Sequence, residues 1–358
     1  MSQPYNVIDF RACVKHAYYG APQEDRIHCD VVDRRFAKWE VGAAGFITRY
    51  ILPIIETGGS QRELIVTHDA GRDYRTGIFA DYKGQKSKKD ENKSPIEIEQ
   101  CNLLFDWSKK FLRALGATQL GVKGVEADDL IAWLRQMING PLNIYTVDED
   151  MLQLVDDDTI VYLKNEPHFG ADGVYPNGHD LEGLPYSLTS FAKSIIGDTS
   201  DNYGGVKGLG KAKIHELRAA FGDDGLLELQ QVVNSGNTDV LDDAIADTGN
   251  KILAKLKEHF AEWRQGWRLA NLRPELCWKP RHRKLTKLII DKRVPNPQRL
   301  YDLLCQVGCQ DMWDSFAPLM PSPLIVDANN WAEMKEAIFD EIAAGDTTAF
   351  DYESSDKN

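Results

Sequence analysis

Along the first half of the chain, short apolar runs of strand character alternate with longer stretches of helical period. "YNVID" (5–9), "ELIVTHD" (63–69), "LNIYTVDED" and "TIVYL" (159–163) read as strands, with "GFITRYILPIIETGG" and "LLFDWSKKFLRALGA" as helices between them. Strands alternating with helices predict an α/β fold on a parallel sheet. Three of the four strands close on aspartate: Asp9, Asp69, and Asp148 with Asp150. The carboxyl ends of parallel strands share the edge where open α/β folds build their sites, so these acids are expected to converge there. Asp148 and Asp150 are two apart, and an extended backbone points both the same way.

"GVEADDLIAWL" (124–134) adds Glu126, Asp128 and Asp129 at the head of an apolar helical stretch. Acids in a first helical turn interact well with the positive helix end, and on its own this segment needs no other role. As a crossover into the third strand, however, the helix begins at the acid-lined edge. Glu126 and Asp129, three apart, should share a face, with Asp128 pointing elsewhere. Carboxylates crowded this way must protonate or meet a counter-charge. Oxygen-only donors without Cys or His suit Mg²⁺ or Mn²⁺, and two such ions about 4 Å apart form a phosphoryl-transfer clamp.

"IIGDTSDNYGGVKGLGKAKIHEL" (195–217) contributes Asp198 and Asp201, then a glycine-rich turn. Gly205 to Lys211 has the GxxxxGK spacing of a phosphate loop. Ala212 stands where that loop needs Ser or Thr, and a helical segment precedes it where a strand is required. Helix–hairpin–helix fits better: "GVKGLG" exposes backbone N–H groups of Gly205, Lys207, Gly208, Gly210 and Lys211 at a helix start, where a phosphate can sit. Such a contact positions DNA without reading a base.

Composition changes the picture little. The 358 residues are 42% hydrophobic, enough for one full core and for two domains, with a net charge of −13. That charge argues against a nucleic-acid partner until its patterning is considered, since basic residues gather in "YKGQKSKK" (82–89) and "WKPRHRKLTKLIIDKR" (278–293). There is no apolar run of membrane-spanning length and no signal-peptide pattern, so no membrane association is expected. The cysteines Cys13, Cys29, Cys101, Cys277, Cys305 and Cys309 are scattered, consistent with reduced thiols in a cytoplasm.

On these residues the chain resembles the 5′→3′ exonuclease and flap endonuclease family in its bacterial and phage branch, including the N-terminal nuclease domain of bacterial DNA polymerase I. The likeness runs over residues 5–320. It is strongest in "GVEADDLIAWL", "TVDEDMLQLV" and "GDTSDNYGGVKGLGKAKI", the last in register with the family's "GDxSDNxxGVxGxGxK". The resemblance implies a PIN/FEN-like nuclease core with a helical arch, continuing into a helix–hairpin–helix region. It implies a catalytic domain over 1–180, a DNA-binding region over 181–320, and a tail over 321–358. Its metal ligands fall on Asp9, Asp69, Glu126, Asp128, Asp129, Asp148, Asp150, Asp198 and Asp201, the first five favouring one ion and the last four the second.

"RTGIFADYKGQK" looks like the family's "RxxxYPxYKxxR". Arg75 and Lys83 are then cations facing the scissile phosphate, Tyr82 a base-stacking residue, and Lys86 a cation where the family has Arg. Segment 84–105 takes the place of the arch, and the hairpin at 204–210 that of the family's K⁺-holding duplex contact. The family usually has Gly and Arg where Phe10 and His16 stand, and either change could alter how the 5′ end is held. The tail resembles the opening of a 3′→5′ proofreading domain, with Asp351 and Glu353 on "AFDYESSD", but is too short for an active one.

The expected activity is metal-dependent, structure-specific hydrolysis of DNA at a 5′ end or flap, with two Mg²⁺ or Mn²⁺ ions, by a monomer in a bacterial or phage-infected cell. RNA–DNA hybrids are a further substrate and a DNA polymerase a further partner under this reading. Two alternatives stay open: a catalytically degenerate DNA-binding module, and a haloacid dehalogenase-type phosphohydrolase suggested by "DEDML" and "GDTSD".

Overall fold

The strand Tyr5–Asp9 (β1) runs through the middle of the molecule, with Val7 and Ile8 both wholly buried. They point to opposite faces and enter different apolar cores, as successive residues of a strand covered on both sides must. The computed structural model describes residues 4–22, 24–25, 36–56, 64–84, 93–179, 181–273, 288–291 and 294–320. Lys86, most of the basic segment 278–293 and the tail with Asp351 and Glu353 lie outside them.

Helix α1 (Phe10–Tyr19) comes directly after β1, then α2 (Lys38–Phe46), which runs on through a π turn at Ile47–Ile51. Strand β2 (Leu64–His68) leads to α3 (Asp73–Ile78) and the long α4 (Pro95–Leu115). Ser94 caps α4 by accepting from Glu97 N at 3.1 Å, Pro95 opens it, and Gly116 ends it in the left-handed region. Then come β3 (Thr118–Val122), α5 (Ala127–Met137), β4 (Leu142–Thr146), β5 (Thr159–Leu163) and β6 (Glu166–His168).

The C-terminal half is mainly helical: α6 (Thr189–Ile196), α7 (Lys211–Ser235, kinked at Gly222), α8 (Asp239–Thr248), α9 (Lys251–Glu258) and α10 (Phe260–Ala270). Strand β7 (Leu288–Asp291) and helix α11 (Pro297–Gln306) return to the sheet side.

The sheet order is β7-β3-β2-β1-β4-β5-β6, parallel from β3 to β5 with an antiparallel strand at each edge. The four strands expected from the sequence form, and all are parallel. β3, β6 and β7 are additions: "TQLGV" is interrupted by Gly121, "EPH" is three residues around a proline, and "LIID" lies inside a basic run. The chain leaves β1 toward β2 on one side and returns as β4 on the other, so the switch point lies at the carboxyl end of β1.

One face is covered by α1, α2, α4 and α11 around Phe46, Tyr50 and Phe111; the other by α5, α6 and the C-terminal helices around Phe191 and Trp263. The second core is continuous from the strand residues Val7 and Ile144 to Leu217 in α7 and Leu256 in α9. Among the described residues no helix is long and apolar enough to cross a membrane.

Candidate active site

The acids of β1, β2 and β4 meet at the switch point because each ends its strand and also caps a helix or turn there. Asp9 caps α1, accepting from Ala12 N at 3.3 Å, and takes a hydrogen bond from Thr146 Oγ1 at 2.8 Å. Asp148 caps the turn Glu149–Leu154 through Asp150 N at 3.0 Å. Asp69 accepts from Ala127 N at 3.0 Å, so an acid on β2 caps α5 from across the site. That reach needs two backbones in contact. A Cβ on Gly71 (φ +138°) would lie 2.6 Å from Gly124 Cα, so neither loop tolerates a side chain there.

Asp9, Asp128 and Asp148 face one another. Burial pushes the Asp9 carboxyl up to about 7, with Asp148 and Asp69 adding repulsion against the Thr146 bond. Burial, then Asp148 and Asp9, push Asp128 up as well. Asp150 rises to about 7 through burial and Asp148, although Lys193 opposes it. At this end of the site, Asp9, Asp128 and Asp148 have no ion-pair partner among the described residues.

The other acids are paired. Lys83 Nζ lies 2.9 Å from Glu126 and 3.5 Å from Asp201, presented from a left-handed backbone (φ 47°). Burial raises the Glu126 carboxyl, but Lys83 and Arg75 together hold it below the usual range. Lys193 on α6 bridges Asp150 and, at 2.8 Å, Asp198, which this pairing holds low against its own burial. Asp201 accepts from Tyr82 OH at 2.9 Å, and burial raises it.

Several expectations are corrected by this arrangement. Glu126 and Asp129 do share a face, meeting the same Arg75 Nη1, but that face turns to the arginine, and Asp128, pointing elsewhere, is the acid that meets Asp9 and Asp148. Asp129 is wholly buried and binds Arg75 with both oxygens, at 2.6 and 3.0 Å. Arg75 cannot face a phosphate: it is 3% exposed and its guanidinium is taken up by protein acceptors. Nε binds Leu269 O, Nη1 binds Glu126 and Asp129, and Nη2 binds Asp129 and Asn271 O.

Tyr82 is likewise 3% exposed, packed with Tyr203, Leu269 and Ala270, so its ring offers no platform to a base. The acids form a belt and not one cage: among the described residues no three of them close on a point as they stand. The phosphohydrolase alternative is not supported, since "DEDML" comes after β4 and Asp9 ends the first strand.

The sequence reading missed Lys193. Its signal was a lone cation between the buried Ala192 and Ser194, five residues before Asp198. The donor set suits a hard divalent cation: it is all oxygen, crowded, and short of positive charge at Asp9, Asp128 and Asp148.

Beyond α6 the hairpin is anchored by buried Val206 and Leu209, leaving Lys207, Gly208, Gly210 and Lys211 exposed. Gly205 is obligatory there, since a Cβ would meet Ile195 O at 2.1 Å. Phe10 and His16 are packed within the α1 layer, Phe10 against His68 (4.6 Å) and His16 hydrogen-bonded to Tyr50.

Residues 4–177 match the model of the 5′-3′ exonuclease N-terminal resolvase-like domain. A Bacillus subtilis 5′-3′ exonuclease is 29% identical over 212 residues, 58% of this chain and 68% of that protein. A Lactococcus lactis DNA polymerase I is 31% identical over 207 residues, 55% of this chain but only 22% of the polymerase. The crystal structure of a bacteriophage T5 flap endonuclease variant, a pseudo-enzyme–product complex with DNA and metal ions, superimposes with a TM-score of 0.55 at 15% identity. That match covers 88% of this chain and all of that one, and it carries the likeness of fold through the C-terminal helices. Over residues 4–177, just under half of its length, the chain is similar to the N-terminal resolvase-like domain of the 5′-3′ exonuclease family.

Proposed function

We propose that this chain is a divalent-metal-dependent 5′ nuclease that hydrolyses DNA phosphodiester bonds at a 5′ end or flap, leaving a 5′-phosphate and a 3′-hydroxyl. The observation that carries the reading is the belt of acids at the switch point, deficient in positive charge at Asp9, Asp128 and Asp148 and cation-paired elsewhere. Asp9, Asp69, Asp128 and Asp148, and next to them Asp150, Asp198 and Asp201, are the carboxylates that would hold Mg²⁺ or Mn²⁺, and such ions would supply Lewis-acid activation of water and of the leaving oxygen.

The protein's own groups do the rest. Lys83, 30% exposed at its side chain, is the cation that can turn from Glu126 toward a phosphate and balance charge developing there. Glu126 holds Lys83 in place until then, and Arg75 with Asp129 fixes the helix from which Asp128 projects. The hairpin 205–210 offers exposed N–H groups and Lys207 and Lys211 to a duplex backbone, with K⁺ on its carbonyls as a further ligand. RNA–DNA hybrids, a polymerase partner and a bacterial or phage-infected cytoplasm belong to the same proposal.

A 5′-labelled flap duplex incubated with the chain in Mg²⁺ and then in EDTA tests it. Short labelled products formed only with metal support the nuclease, and their lengths separate flap cutting from stepwise trimming. A folded chain that binds the duplex yet cuts nothing in Mg²⁺ or Mn²⁺ is instead a degenerate binding module.

A further inference from the structure

An open cleft of about 280 Å³ lies directly behind Asp69, on the far side of the acid belt from the hairpin. Its walls are the start of α1, the inner face of α4 and the ends of β2 and β3, with Phe10, Arg11, Lys109 and Arg113 lining it beside Asp69 and Asp291. Its position is set by the two cores. Phe10 and the α4 residues Phe111 and Leu112 belong to the core on one sheet face, while Val206 and Leu209 of the hairpin belong to the core on the other. Leu120, of the same core as the hairpin, also lines the cleft, so it opens at the sheet edge beside Asp69, where a strand crossing the acids can reach it.

The charge of the cleft differs from that of the belt. Lys109 Nζ sits 6.0 Å from the Phe10 ring centroid and has no carboxylate partner among the described residues. The Arg11 side chain is 58% exposed, and its contact with Asp69 is long, at 3.9 Å. Arg113 gives Nε to Asp291 at 2.6 Å and keeps its other N–H groups. Three cations with spare donors at the rim of an acidic belt, two of them on the part of α4 beyond the arch segment, suit an anion linked to the scissile phosphate.

We propose that this cleft binds the first phosphate on the 5′ side of the scissile bond, through Lys109 and Arg11. The ligand class is a phosphate ester of the displaced single strand, either its terminal phosphomonoester or its next phosphodiester. The inference rests on the nuclease reading for the path of the strand. It does not rest on that reading for its test, which measures binding.

The full-length protein is titrated in Ca²⁺ with a plain duplex and with duplexes bearing a one-nucleotide 5′ flap, 5′-phosphorylated or 5′-hydroxyl. A longer flap carries one methylphosphonate next to the junction. Lys109→Ala and Arg11→Ala should each weaken flap binding by about tenfold, the weight of a charge-assisted contact. The slope of log affinity against log salt should fall by about one, and plain-duplex binding should not change. Lys109→Arg should restore both.

A loss confined to the phosphorylated one-nucleotide flap identifies the terminal monoester, and a matching loss from the methylphosphonate identifies the diester. Variants that bind every flap as the wild type does, with the same salt slope, overturn the proposal. Mg²⁺-dependent cleavage by the wild type, measured alongside, tells that failure apart from failure of the nuclease reading.

Discussion

The two ends of the acid belt are built from the same residue type and solve opposite problems. At one end Glu126, Asp129, Asp150, Asp198 and Asp201 are matched by Arg75, Lys83 and Lys193. At the other, Asp9, Asp128 and Asp148 have no ion-pair partner among the described residues, Lys83 reaching Asp128 only at longer range, and burial with mutual repulsion pushes Asp9 to about 7. The paired end is held by these ion pairs in the metal-free protein, which keep Glu126 and Asp198 low although burial still raises Asp129, Asp150 and Asp201. The unpaired end is a cost to the fold unless a cation comes from outside, and such uncompensated charge marks a site more reliably than acid content does.

Breaking the unpaired end should have the largest effect on activity. Asp148→Asn removes a carboxylate that faces Asp9, Asp128 and Asp150. Cleavage should fall by roughly a hundredfold or more, since even groups behind a metal ligand are worth that much. The same change relieves repulsion, so the metal-free protein should melt a few degrees higher. Duplex binding should be kept. Flap cleavage and thermal melting in EDTA check both halves, and a lower melting temperature would show that Asp148 is paired after all.

Breaking the paired end should do the reverse. Asp129→Asn leaves the buried Arg75 with Glu126 as its one carboxylate and should cost about 3–5 kcal/mol of stability, as removal of one partner of a buried ion pair does. Metal affinity should change little, because Asp129 points away from Asp9 and Asp148. Urea unfolding beside Mn²⁺ titration measures the two quantities. Weakened Mn²⁺ binding in a chain that stays as stable as the wild type would return Asp129 to the ligand set.

This division was only partly legible in the sequence. Strand ends and acid spacing placed Asp9, Asp69, Asp148 and Asp150 on one edge, because a parallel sheet leaves no other option. Which of Asp128 and Asp129 faces the site was not legible. Spacing placed Glu126 and Asp129 on one face, as in the structure, but did not show that this face meets the buried Arg75 while Asp128 meets Asp9 and Asp148. Arg75, Tyr82 and Lys193 were misjudged or missed for a different reason. Their partners are 51, 119 and 43 or 5 residues away, on elements whose packing no local pattern encodes.

The pH dependence of stability sharpens the contrast without any mutation. Asp9 and Asp150 rise from 3.8 to about 7 on folding, so they contribute least penalty while protonated. The unfolded chain loses those protons near pH 4 and the folded one near pH 7. Metal-free stability should therefore decline across that window and level off above it. Mg²⁺ should raise the melting temperature more at about pH 8 than at about pH 5, where protons already hold the belt. Melting curves with Mg²⁺ and with EDTA across this range test it. A metal-free melting temperature that climbs between those limits would mean that the paired acids dominate.

The smallest effect tests where the two ends join. Tyr82 donates to Asp201 from beneath the loop that carries Lys83, and Lys83 N in turn donates to Asp201 O at 3.0 Å. Tyr82→Phe removes that hydroxyl and keeps the ring, at a cost of about 1 kcal/mol. If the ring stacked on a base, the change would leave flap affinity and cleavage as they were. If it serves Asp201, the freed carboxylate competes for Lys83, and the Mg²⁺ concentration giving half-maximal cleavage should shift while flap affinity in Ca²⁺ stays constant. A shift in metal requirement without a shift in DNA affinity would place Tyr82 with the cations that balance the belt. Loss of DNA affinity in Tyr82→Ala but not in Tyr82→Phe, with the metal requirement unmoved, would place it at the strand instead.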